Sequence, residues 1–283
     1  MRNVIAISAL LFASVASAQI AEGDQHWAAR AEGHQSGHAK PGQVDAAIAA
    51  YQKAVAQNPN DLEARWKLLR SLRFKGAYVA TSADEKKKIY SSAKKAGEET
   101  LAIIGRQLSA KGVRSVTKAA EKEVAGVAKS IPGADEVFLW DAINWGEWAL
   151  AYGKMAAARE GAADRIRREA TIAMLIDPKL DGGAPSRVLG RLHDQTPRIP
   201  FITGWASNRE AQRFLNESMK IDPTNKITRV FLAEAMVSGN SDAKPQAIQM
   251  LKELLTAPND PNYEVEQSAA VDDARALLKK WGA

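Results

Sequence analysis

The sequence predicts an all-α fold, an irregular array of about eleven or twelve antiparallel helices. Three observations lead there. Four apolar segments of helical period end alike, on a proline. The capping and stop signals around them are those of helices. No run of alternating β-branched residues bounded by turn signals is long enough to read as a strand.

The four segments are "AAIAAYQKAVAQNPND", "RIRREATIAMLIDPKL", "AQRFLNESMKIDPTN" and "AIQMLKELLTAPNDP". In the first three, small or apolar residues stand twelve and five positions ahead of the proline: Ala47 and Ala54 before Pro59, Ile166 and Ala173 before Pro178, Ala211 and Ser218 before Pro223. In the fourth, Ala247 and Leu254 before Pro258, the spacing is one residue shorter. Residues seven apart share a helix face, so a small pair lets a neighbouring helix approach, while the proline forces the chain to turn. Pro223 and Pro258 lie 35 residues apart, near the period of about 34 of a tetratricopeptide repeat. The array is therefore expected to be tetratricopeptide-like, in a single domain over residues 19–283.

In chain order, residues 1–18 come first. Arg2, the apolar run Val4 to Ala13 and the small-residue pattern Ala16-Ser17-Ala18 read as a cleavable secretory leader. The run is too short to span a bilayer, and no later segment reaches the roughly 18 to 20 uncharged apolar residues that a span needs. The chain has no cysteine, so neither disulfides nor a lipidated cysteine are expected, and a bacterial periplasm is the expected location. The formal net charge of +6 falls by one unit with Arg2. The most basic stretch, "DEKKKIYSSAKK", is interleaved with acids and reads as a solvated helix face, so no nucleic-acid partner is expected.

After the first repeat segment, Ser82-Ala83-Asp84-Glu85 has the form of a capping box and opens a helix from Asp84 to Leu108. Helices follow from Val113 to Ser130, with Val116, Ala120, Val124, Val127 and Ile131 on one face, and from Ala134 to Ala158. These additions put 119 residues between the first and second repeat prolines, which makes the array irregular. Ser207-Asn208-Arg209-Glu210 is a second capping-box form. The last helix carries Val271, Ala274, Leu277, Leu278 and Trp281 on one face.

Three of the seven tryptophans fall in "FLWDAINWGEWALAYGK", Phe138 to Lys154. At about 100° per residue, Phe138, Trp145, Trp148 and Tyr152 share a face, and Trp140 and Ile143 point away from it. Such a two-sided helix either sits in the middle of a stack or turns one aromatic side toward a hydrophobic cleft. A second unusual stretch is "LDGGAPSRVLGRLHDQTPRIPFITGWASN". Gly182, Gly183 and Pro185 break the chain, Arg187 to Gln195 makes a short helix, and Pro197 and Pro200 delay the next one until Ser207. The connection carries Phe201, Ile202 and Trp205, which either pack over the array edge or meet a ligand.

The combination of "WDAINWGEWALA", "IDPKLDGGAPSRVLGRLHDQTP" and "FITGWASNREAQRFLNESMKIDPTN" resembles the T component of TRAP transporters, the TatT family. The likeness is strongest over Phe138 to Met236. It implies a periplasmic homotrimer with a central pore and hydrophobic clefts, working beside a TRAP-type solute-binding protein that delivers apolar or organic-acid ligands. Some members of that family look like lipoproteins, and this chain lacks the cysteine. On this reading Trp145, Trp148 and Tyr152 are cleft walls, Arg187 is the cation for a ligand or partner carboxylate, and Phe201 and Trp205 are lids. The alternatives are a locally paired Arg187 and core plugs at Phe201 and Trp205.

Catalytic arrangements are not legible. There is no H-E-x-x-H pair, G-x-S-x-G elbow, P-loop or G-x-G-x-x-G cradle, and the lack of cysteine excludes thiol chemistry. His34 and His38 have the spacing of a helical metal pair, but Gly33, Gly37 and Pro41 favour a polar loop over a site that includes His26. His193 beside Asp194 reads as a structural pair. A non-enzymatic accessory protein without a cofactor is expected. The alternative function is a general periplasmic tetratricopeptide scaffold for peptides or envelope proteins.

Overall fold

The computed structural model describes residues 16–200 and 202–283. The expected leader lies outside the described residues up to position 15, and 16–18 open a helical segment, α1, that runs to residue 28. There follow α2 (Pro41–Gln57), α3 (Leu62–Phe74), α4 (Ala83–Ala110), α5 (Glu121–Ala128), α6 (Ala134–Tyr152), α7 (Lys154–Arg159) and α8 (Ala162–Ile176). The second half holds α9 (Leu180–Gln195), α10 (Asn208–Ile221), α11 (Lys226–Gly239), α12 (Lys244–Thr256) and α13 (Glu264–Trp281). The fold is an all-α helical array: among the described residues the only β pairing is an isolated bridge between Gln35 and His38.

The repeat pattern has the physical role that its spacing implies. Ala47, Ala54, Ile166, Ala173, Ala211, Ser218, Ala247 and Leu254 are all buried. α2, α8, α10 and α12 each stop two residues ahead of their proline. In three of them the carbonyl five positions before the proline, that of Ala54, Ala173 or Ser218, accepts the N–H of the residue that ends the helix. The small residue thus marks both the close packing face and the last regular turn.

Successive helices pack as neighbours from α8 through α13, while α6 is touched by α3, α4, α7, α8 and α9. α6 is the central rod. The array also folds back on itself, because α13 meets the N-terminal segment. Arg30 pairs with Glu266 at 3.0 Å, Ser36 donates to Asp272 at 2.6 Å, and a Cβ on Gly37 would collide with the backbone of Ala269.

Four local expectations are corrected. Residues 113–120 are not helical. Gly112 turns the chain at φ +99°, the Val113 N–H returns to the Leu108 carbonyl, and Arg168 holds the carbonyls of Val116 and Ala119, so the helix begins only at Glu121. The expected helix from Ala134 to Ala158 breaks at Gly153, φ +89°, into α6 and α7. The break at Gly182 and Gly183 is present, with Asp181, Gly182 and Gly183 all left-handed, but the regular helix resumes ahead of Arg187, with Pro185 in its first turn, where a missing N–H costs little. Ser207 ends no capping box, since its side chain makes no cap hydrogen bond.

Candidate functional site

α6 is positioned at both ends by glycine. Gly133, φ +76°, lies against the Trp66 ring, and Gly153 ends the helix. Within it, Asn144 donates its Nδ2 to the Leu69 carbonyl at 3.1 Å and to the Trp140 carbonyl at 2.8 Å, fixing α6 to α3. Trp140 donates to Glu136 at 2.8 Å. Burial raises the Glu136 carboxyl to about 7, against the lowering effect of that bond.

The two apolar sides of α6 feed two different cores. Phe138 and Leu139 pack with Ile104, Leu108 and Val124, whereas Trp145 and Trp148 pack with Tyr90, Ile166, Leu189 and Phe214. The expected aromatic face is therefore divided: Phe138 belongs to one core, and Trp145, Trp148 and Tyr152 continue as a ladder. Trp145 meets Trp148 edge to face at 5.6 Å, and Trp148 stacks on Tyr152 at 4.9 Å. Cations lie over the rings: Lys94 is 4.5 Å from the Trp145 centroid and 4.7 Å from that of Trp148, and Arg165 is 4.3 Å from that of Trp145. Each contact of this kind contributes about 0.5 to 2 kcal/mol, depending on desolvation. Tyr152 emerges at the surface, its hydroxyl 2.8 Å from Ser91 Oγ. The Trp145 indole N–H is buried without a partner. The ladder thus runs from core to surface, and its outer rung is the accessible one.

The structure does not bring Arg187 to the ladder. It places the guanidinium 3.7 Å from Asp181, with that side chain only 12% exposed. Asp181, at φ +45°, is held by the Tyr263 hydroxyl, which donates to its Oδ1 at 2.7 Å. The left-handed turn through Asp181, Gly182 and Gly183 therefore aims an acid back at Arg187, and one Arg187 nitrogen is buried without a partner. Trp205, half-buried, donates to Asp164 at 2.9 Å and lies under Arg167 at 4.7 Å, on the N-terminal turn of α8. Phe201 lies outside the described residues.

His193 and Asp194 form no pair. His193 accepts the Ser207 N–H at 3.2 Å and packs against Trp205 and Phe214, and burial lowers its pKa. Asp194 accepts from Ser238 at 2.7 Å. His34 Nδ1 is 2.9 Å from the Ser36 carbonyl and His26 Nδ1 is 2.7 Å from Gln43 Oε1. No group of three or more potential metal ligands occurs among the described residues.

Sequence reasoning missed a buried charge cluster beside the ladder. Arg165 donates to Asp141 and to Glu169, both at 2.9 Å, and lies 3.9 Å from Glu98. Gly97 of α4 is what admits Asp141, since a Cβ there would fall 1.7 Å from Asp141 Oδ1. A glycine inside a 28-residue helix was the one available signal.

No protein-family model matches this chain, and no curated protein matches it. Among solved structures, it is similar to "TPR2AB-domain:pHSP90-complex of yeast Sti1", with a TM-score of 0.32 and 15% identity over 96% of this chain and 100% of that one. That likeness concerns the helical fold alone.

Proposed function

We propose that the protein is a non-enzymatic, protein-binding helical scaffold of the periplasm, acting as the accessory T-type component of a TRAP transport system and meeting its solute-binding protein. The observation that supports this reading is the apolar outcrop where α6 breaks into α7. Leu150 is 70% exposed, Met155 72% and Tyr152 41%, all within six residues of Gly153. Isolated exposed apolar residues are ordinary, but three at one helix break, at the outer end of an aromatic ladder, make a patch of the kind that partners cover. The sequence resemblance supplies the transport system, the homotrimer and the hydrophobic or organic-acid ligand as parts of the same proposal.

The test is native mass spectrometry of the protein taken from the periplasm without detergent, followed by crosslinking from a photoreactive residue at Met155. The proposal expects a trimer and a crosslink to a solute-binding protein that Leu150→Glu and Met155→Glu weaken at least tenfold. A bare monomer crosslinked to other envelope proteins would replace it with a general scaffold. A purified chain that turns over a substrate would remove the non-enzymatic part.

A further inference from the structure

The helices of the central layer bring distant segments to one end of the molecule. α4 runs antiparallel to α6, so Ser91 meets Tyr152 at 2.8 Å while Gly97 lies against Asp141. α8 starts close to the end of α6, only the short α7 intervening, and Trp205, just ahead of α10, reaches back to Asp164 at 2.9 Å. The start of α4, the break between α6 and α7, the start of α8 and the connection into α10 therefore share an end. All five large hydrophobic side chains that are exposed among the described residues lie there: Leu150, Tyr152, Met155, Ile199 and Ile202.

The charge of this end is one-sided. Residues 84–95, 150–164 and 196–209 hold nine lysines and arginines against four acids. At the opposite end, residues 104–136 and 174–182 hold seven against six, and none of the exposed large hydrophobics. Pairing sharpens the contrast. Glu160 is met by Lys94 at 3.1 Å and Asp164 by Arg167 at 3.4 Å, and Glu85 accepts the Thr81 N–H at 3.1 Å. Lys88, Lys154 and Arg198, one from each segment, are exposed and have no ion-pair partner among the described residues.

We infer that the protein covering the α6–α7 outcrop presents a ring of carboxylates around an apolar spot, and that the contact spans this whole end, from the α4 lysines to Arg198. The inference rests on the proposed function, which supplies a solute-binding protein at the outcrop. An apolar centre within a cationic rim is complementary to such a face: the centre is desolvated on contact, and the rim speeds encounter and rejects basic partners. A lipid surface is the poorer match. Membrane interfaces favour exposed indoles, and here Trp148 is buried and Trp205 is tied to Asp164.

The experiment takes the full chain and the purified solute-binding protein identified by the crosslink from Met155, and measures association and dissociation rates at two ionic strengths. Raising ionic strength from about 0.01 to about 0.15 M shortens the screening length from about 30 to about 8 Å. The affinity is expected to fall at least tenfold over that range, mostly through slower association. Lys88→Glu, Lys154→Glu and Arg198→Glu combined are expected to lower it at least tenfold at the lower ionic strength. Lys111→Glu, Arg114→Glu and Lys118→Glu combined make the same change of charge at exposed positions of the opposite end and are expected to alter it less than twofold. Circular dichroism checks that both variants keep the fold. Equal losses from the two variants, or an affinity indifferent to salt, would overturn the inference and leave the proposed function standing. The absence of any crosslink to a solute-binding protein would remove the proposed function and the inference with it. Sedimentation of the chain with phosphatidylglycerol vesicles, lost in the first variant and unaccompanied by binding of the solute-binding protein, would assign this end to a lipid surface instead.

Discussion

The central layer, α4 with α6 and α8, and the C-terminal stack, α10 to α13, are both built of packed helices yet fill space in different ways. In the stack, the interior is apolar: Val230, Leu251, Leu254, Ala274 and Leu278 pack on one another. Buried polar groups gather at a corner, where Lys226 donates to the Ala257 carbonyl at 2.6 Å and to Asn259 at 2.7 Å. In the central layer, Asp141, Asn144 and Glu169 are buried in mid-helix. Apart from that corner and the Glu266–Arg30 pair on α13, the stack closes on apolar faces. The central charges add no packing that leucines could not supply, and their desolvation is costly. They are therefore the part of the fold that most needs an explanation beyond stability.

The sharpest way to test the comparison is to remove one arginine from each region. Arg165→Met leaves Asp141 and Glu169 without their cation, and breaking a buried pair in this way costs about 3 to 5 kcal/mol. Arg213→Met removes a guanidinium that is 46% exposed and paired with Glu210 and Glu217 at 2.8 and 2.7 Å; exposed pairs of this kind contribute less than about 1 kcal/mol. Urea unfolding at pH 7 measures both. The Arg165→Met loss is expected to shrink in acid, where protonated Asp141 and Glu169 no longer require a cation. Equal losses at the two sites would mean that the central cluster is as hydrated as the surface.

A second difference lies in acid titration. Burial raises Glu136, Asp141 and Glu169 on α6 and α8, whereas a hydrogen bond from Arg213 is the first cause lowering Glu210 on α10. For Glu136 the folded value of about 7 stands above the ordinary 4.5. The folded state then holds more protons than the unfolded chain between those values, so stability is full below the lower one and falls as pH rises through the upper one. The slope from one such group is at most about 1.4 kcal/mol per pH unit. His193, whose pKa burial lowers, acts with the opposite sign. Subtracting the pH profile of Glu136→Gln from that of the unaltered chain isolates the term. A difference that rises with pH, or stays flat, would contradict the burial of Glu136.

The same division explains what the sequence made legible. Ala47 and Ala54, or Ala211 and Ser218, lie within one helix, and their pattern needs only the helical period and a proline to be read. The two-sidedness of α6 is also local, and so is the glycine break ahead of Arg187. Asp141 and Glu169 look like surface letters in an amphipathic pattern, and only their meeting with Arg165 and Gly97 buries them. The partner of Asp181 is Tyr263, 82 residues away. Val116 and Ala120 fit a helical face, yet carbonyls in that stretch serve Arg168, and tertiary hydrogen bonds outweigh a short apolar period. What was local was readable, and what depended on charges meeting across the array was not.

The smallest effect tests that rule at two helix starts of the same form. Ser82 Oγ accepts the Glu85 N–H at 3.2 Å, and Glu85 in turn accepts the Thr81 N–H at 3.1 Å. At α10, the Ser207 N–H goes to His193 at 3.2 Å and the Glu210 carboxylate to Arg213 at 2.8 Å, which engages both partners of one half of the box, and the Ser207 side chain makes no cap hydrogen bond in the other. Ser82→Ala is expected to cost about 1 kcal/mol in urea unfolding, and Ser207→Ala no more than a few tenths. Equal losses would mean that Ser207 caps α10 in solution, and that His193 and Arg213 do not override the local signal. A loss confined to Ser82 would show that two identical sequence signatures differ because one of them is surrounded by competing partners.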